Sequence, residues 1–93
     1  MIVRIATEGQ YELPDGDVTE RLNALDNAAV AAVEAGDEAA FADRFAQIVA
    51  FVREHGTPLD ADDLRGSDVI VPPPDTSFEE ARNDFSGDGL IPD

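Results

Sequence analysis

His55 is the only histidine, and with no cysteine in the chain it is the one side chain whose ordinary titration falls near neutral pH. Proton transfer or metal ligation would have to begin there. It sits in Arg53-Glu54-His55-Gly56, where a helix is about to end, and no serine nucleophile motif surrounds it. A cation at that position meets the negative end of the helix dipole and can reach open carbonyls, so a capping role explains it better than catalysis. Asp84, Ser86, Asp88 and Gly89 match positions one, three, five and six of a calcium loop, with Ile91 at the customary apolar eighth. The sequence stops at the tenth position, short of the bidentate Glu, and the cage is incomplete. Asp60, Asp62 and Asp63 fail the same template because Arg65 stands where glycine is needed. Carboxylate pairs abound, but among 21 acidic side chains such pairs arise by chance. Phe41, Phe45 and Phe51 could line a ligand pocket, yet aromatic residues at helical spacing in a chain this small read as core.

The elements that must position these residues follow from periodicity. Met1, Val3 and Ile5 alternate with Ile2, Arg4 and Ala6, which predicts a strand with one face better buried. Thr7-Glu8-Gly9 supplies a turn, with Gly9 free to take positive φ, and Gln10-Tyr11-Glu12-Leu13 returns as a second strand until Pro14. Two strands alone are marginal, so the hairpin must lean on helices or pair its edge. Asp17 with Glu20 three residues later resembles a capping box, and Val18, Leu22, Leu25, Ala29 and Val33 trace a narrow helical seam. Gly36 suits a left-handed cap and Asp37 an N-cap, so a second helix, antiparallel to the first, carries Phe41, Phe45, Ile48 and Val52. Val49 and Phe51 widen its apolar face beyond the seam.

Gly56-Thr57-Pro58 closes that helix, and Asp60 to Leu64 is read as one helical turn. Asp68-Val69-Ile70-Val71 forms a short extended run before Pro72-Pro73-Pro74, which holds the backbone in polyproline geometry. Ser77-Phe78-Glu79-Glu80 is a capping box for a third, short helix ended by Gly87 and Gly89, and Leu90-Ile91-Pro92 is an apolar tail. The expected fold class is α+β, mainly α: an N-terminal β-hairpin, an antiparallel pair of long helices, a proline-rich extended segment and a short C-terminal helix. One domain, 1–93, accounts for the length.

Charge narrows the function. No lysine occurs, and six arginines face 21 acids for a formal net charge of -15 on 9.9 kDa. Self-repulsion of that size is relieved when the Debye length falls to about 3 Å near 1 M salt, the signature expected of an extreme halophile. Phosphate backbones and anionic lipids demand basic patches, which are missing, so no nucleic-acid partner and no direct membrane binding are expected. No window approaches the roughly 20 apolar residues of a membrane span, and Met1 to Ala6 is too short for a signal peptide. The expectation is a soluble cytoplasmic protein.

A series of separated phrases in order remains: Met1-Ile-Val-Arg-Ile-Ala-Thr-Glu-Gly-Gln-Tyr-Glu-Leu, Leu25-Asp-Asn-Ala-Ala-Val, Glu34-Ala-Gly-Asp-Glu, Arg53-Glu-His-Gly-Thr-Pro-Leu, Ser67-Asp-Val-Ile-Val-Pro-Pro-Pro-Asp and Gly87-Asp-Gly-Leu-Ile-Pro. Through these the chain resembles the PspA-associated (PspAA) family over essentially its whole length. The resemblance implies a small, mainly helical, non-enzymatic companion of phage-shock-protein A-like proteins, the membrane-remodelling coiled coils of the envelope stress response. It implies no catalytic residues, and no cofactor or metal is expected.

The sequence therefore predicts an adaptor or regulator that binds a PspA-like coiled-coil protein and reaches the inner face of the cell membrane only through that partner. Arg4, Tyr11, Pro72, Pro73, Pro74, Leu90 and Ile91 are the candidate partner-binding residues, since apolar groups on loops and tails of a highly charged protein are either docked on its own core or offered to a partner. The unpaired hairpin edge at Met1 to Ala6 leaves room for a homodimer by edge pairing. Two readings from other classes stay open: an acidic nucleic-acid mimic that inhibits a DNA-binding protein, and a small metal-dependent enzyme.

Overall fold

The computed structural model of the chain describes residues 1–60, 65–83 and 85. Along it run β1 (Ile2–Ile5), β2 (Gly9–Glu12), α1 (Asp17–Ala35), α2 (Glu38–His55), β3 (Thr57–Pro58), β4 (Val69–Val71) and α3 (Phe78–Ala81). The class is α+β with helix predominating, as the periodicities predict. The turn expected at Asp60 to Leu64 falls mostly outside the described residues, as do the glycines expected to end α3, nearly all of the calcium-like loop and the Leu90-Ile91 tail.

The hairpin is part of a larger sheet. β1 pairs antiparallel with β2 and parallel with β4, and β2 pairs with β3, giving a four-stranded order β3-β2-β1-β4. The edge pairing expected of β1 is therefore closed, because β4 already occupies that edge. Asp68 fixes the register: its carboxylate accepts a hydrogen bond from the Ile2 N–H at 2.8 Å, while its own N–H donates to the Ile2 carbonyl at 2.8 Å. Ala6 closes the other end by donating to Val71 at 2.9 Å. Alternation then divides the faces. Val3, Ile5, Val69 and Val71 are buried, and Arg4 and Ile70, paired in register, stand exposed on the open face.

Thr7 joins Gly9 at positive φ in the β1–β2 turn, at 70° and 140° respectively. α1 starts differently from expectation. Gly16, with φ 92°, is the N-cap and offers no side chain, so Asp17 is the first helical residue rather than the cap. There it still opposes the dipole together with Glu20. At the other end Gly36 takes φ 68° and donates to Val33 at 3.0 Å, while Asp37 donates to Ala32 at 3.0 Å. The Asp37 carboxylate next accepts from the Ala40 N–H at 3.0 Å, so one glycine and one aspartate turn the chain from α1 into α2.

The core collects the inner sheet face, α1 and α2. Leu22, Ala29, Val30 and Ala32 of α1 meet Phe41, Phe45, Ile48, Phe51 and Val52 of α2 in one cluster with Val3, Ile5 and Leu13. Phe41 is its aromatic hub, with ring centroids 5.6 Å from Phe45, 5.6 Å from Phe78 and 5.1 Å from Phe85. The edge-on contacts with Phe78 and Phe85 tie the C-terminal segment to the middle of the protein. Asp26 is also buried, at 1% exposure, and its carboxylate is satisfied.

Candidate partner-binding surface

α2 buries one face and leaves a row of small side chains beside it. Ala42, Ala46 and Ala50 recur every four residues and are exposed, next to the nearly buried Phe41, Phe45 and Val49. Across from them lies a bank built by the proline segment. Pro72 is buried, Pro73 half-buried and Pro74 exposed, and the Thr76 N–H closes a turn onto the Pro73 carbonyl at 2.9 Å. The Ser77 hydroxyl accepts from the Glu80 N–H at 3.2 Å, the Glu80 carboxylate accepts in return from the Ser77 N–H, and the start of α3 is fixed. Phe78 is thereby set edge-on to Phe41. Between helix and bank runs an apolar trough of about 480 Å³, with Glu38 at one rim and Arg53 at the other.

Arg53 is already engaged. Its guanidinium forks onto Glu8 of the β1–β2 turn, with Nε donating at 3.0 Å and the second nitrogen closing the pair. The Tyr11 hydroxyl donates to the same carboxylate at 2.9 Å. The Arg53 hydrogen bond holds the Glu8 carboxyl below the usual glutamate range, and accepting from Tyr11 lets Glu8 push the phenol above its usual value. This cluster clips the hairpin turn to the last turn of α2.

The residues expected to bind a partner divide among separate places. Pro74 lines the trough. Tyr11 lies on the inner side of β2, its hydroxyl committed to Glu8 and its Cβ against Gly56. Arg4 stands on the open sheet face beside Ile70, which is 61% exposed, and has no ion-pair partner among the described residues. Leu90 and Ile91 lie outside the described residues. On that open face Gln10 donates to Ser67 at 2.7 Å and Arg65 meets Glu12 at 2.9 Å.

His55 ends α2 with its ring 4.4 Å from that of Phe51, and the Arg21 guanidinium lies 5.4 Å from the Phe51 ring centroid over a shallow hollow. Among the described residues no group of three or more His, Asp or Glu side chains converges as a metal site would require. No described helix is long and apolar enough to cross a membrane. The trough residues Ala42, Ala46 and Ala50 escaped the sequence reading, although their four-residue spacing beside Phe41, Phe45 and Val49 was there to be read.

These features define a small, helix-rich α+β module that carries an apolar trough along α2. The chain belongs to the PspA-associated protein family (PspAA), whose model matches residues 1–93. No curated protein and no solved structure matches it.

Proposed function

We propose that this chain is a non-enzymatic adaptor or regulator that binds a PspA-like coiled-coil protein in the envelope stress response. The observation that carries this reading is the open trough along α2, in a chain whose whole length matches a family described as PspA-associated. Coiled-coil proteins present apolar ridges on helices, and an apolar trough beside a helix is the surface such ridges fit. Any membrane contact is made by the partner, because a charge of -15 repels anionic headgroups.

The test is co-purification of the tagged chain with the PspA-like protein of its own organism, in salt high enough to keep both folded. Wild type should retain the partner. Ala46→Glu places a charge on an exposed helix position within the trough and should weaken retention at least tenfold, with little change in its own melting temperature. Failure of the two wild-type proteins to associate, with membranes present as well as absent, would remove the adaptor assignment.

A further inference from the structure

We infer that the trough receives a single amphipathic helix of basic character, with its apolar ridge against Ala42, Ala46 and Ala50 and a cationic side chain beside Glu38. The inference rests on the adaptor reading only for which protein carries that helix.

Shape comes first. From Glu38 to Arg53 the trough follows α2 for about 22 Å, four helical turns, at a rise of about 1.5 Å per residue. Alanine on the α2 side allows the second helix axis to come to the near end of the usual 8–10 Å spacing. A small molecule fits poorly, since such sites enclose most of the ligand and converge polar groups on it, whereas Ala42, Ala46, Ala50 and Pro74 are all open to solvent.

A second copy of the chain fits no better. The only large hydrophobic side chain exposed among the described residues is Ile70, on a sheet rather than a helix, so those residues of a copy offer no helical ridge to insert. Two chains of -15 would also repel. Charge instead selects the occupant's sign. Arg53 is neutralised by Glu8, whereas Glu38 has no ion-pair partner among the described residues. The uncommitted charge on the rim and the field of the whole molecule are both negative, and both favour a helix carrying Lys or Arg.

The experiment uses the isotope-labelled full chain at the lowest potassium chloride concentration that preserves its circular dichroism. Three synthetic helical peptides serve as probes: a leucine ridge with lysine flanks, the same ridge with glutamate flanks, and the lysine peptide scrambled to destroy the ridge. The lysine peptide should shift amides over residues 42–50 and at Phe78, and bind at least tenfold more tightly than either control. Glu38→Gln should narrow its advantage over the glutamate peptide several-fold, and Ala46→Trp should abolish binding while leaving the melting temperature in place. Equal binding of ridge and scramble, shifts centred on Arg4 and Ile70 or spread over the surface, or no shifts at millimolar peptide would each overturn the inference. The two readings fail separately. A PspA-like protein retained equally by wild type and Ala46→Trp removes the trough as its site, and a trough that binds the lysine peptide in a chain that never retains the PspA-like protein removes only the adaptor assignment.

Discussion

Thr7 is a β-branched residue at φ 70°, where its Cβ crowds the following carbonyl. Asparagine tolerates that conformation far better, so Thr7→Asn should raise stability by about 1 kcal/mol, read as a shift in the urea midpoint at constant slope. A neutral or destabilising result would show that the turn is not strained. One residue on, Glu8 gives a pH dependence with a definite sign. Its folded value lies below its unfolded value of about 4.3, so the contribution is complete above that unfolded value and is lost as pH falls through the folded one. Arg53 is half exposed and Glu8 about a quarter exposed, so solvent screening keeps the energy modest and the sharper readout is the Glu8 carboxyl titration by NMR. Arg53→Gln should move that midpoint upward, and an unmoved midpoint would show that the fork does not persist in solution.

At the scale of elements, Gly56 decides how closely the end of α2 lies against β2. Its φ is -87°, which alanine adopts freely, yet an added Cβ would lie 2.6 Å from the Val52 carbonyl oxygen and 2.8 Å from Tyr11 Cβ. The glycine serves close approach rather than a left-handed cap. Gly56→Ala should therefore cost about 1–3 kcal/mol by overpacking, measured by denaturant unfolding, and a neutral substitution would mean that helix and strand separate without penalty. α3 depends instead on its cap. Ser77→Ala removes half of a reciprocal capping box and should cost about 1 kcal/mol. Because Phe78 banks the trough, the same change should also weaken binding of the lysine peptide. Loss of stability without loss of binding would detach α3 from the site.

For the whole molecule the governing quantity is the charge of -15. The Debye length is about 3 Å in 1 M salt and about 10 Å in 0.1 M, so diluting potassium chloride across that range restores most of the repulsion within a protein whose Cα radius of gyration is 12.6 Å. The melting temperature followed by circular dichroism should fall steadily on dilution, and a constant value would show that the charges are spread too evenly to strain the fold. Among the described residues, the ion pairs at Arg44, Arg53, Arg65 and Arg82 are partly or largely exposed, and none of them bridges the two long helices.

Much of this was legible in local signals. Gly36-Asp37 as a helix-to-helix turn, Ser77-Phe78-Glu79-Glu80 as a cap, and Val3 with Ile5 as a buried face all depend on residues within a few positions of one another, where propensity and hydrogen bonding act without help from the rest of the chain. The capping box placed at Asp17 failed because Gly16 at φ 92° turned the chain into α1 one residue early. What only the tertiary structure decided lies between segments far apart in sequence. Val69-Ile70-Val71 reads as a strand on its own, but its parallel seat on β1 depends on Asp68 bonding Ile2 across 66 residues, and no local pattern specifies a strand's partner. Arg53 lies in the phrase that closes α2, and only the fold brings it to Glu8. The trough is of the same kind. Its alanines and its proline bank lie more than twenty residues apart, and a concave surface exists only once packing has set its two sides beside each other.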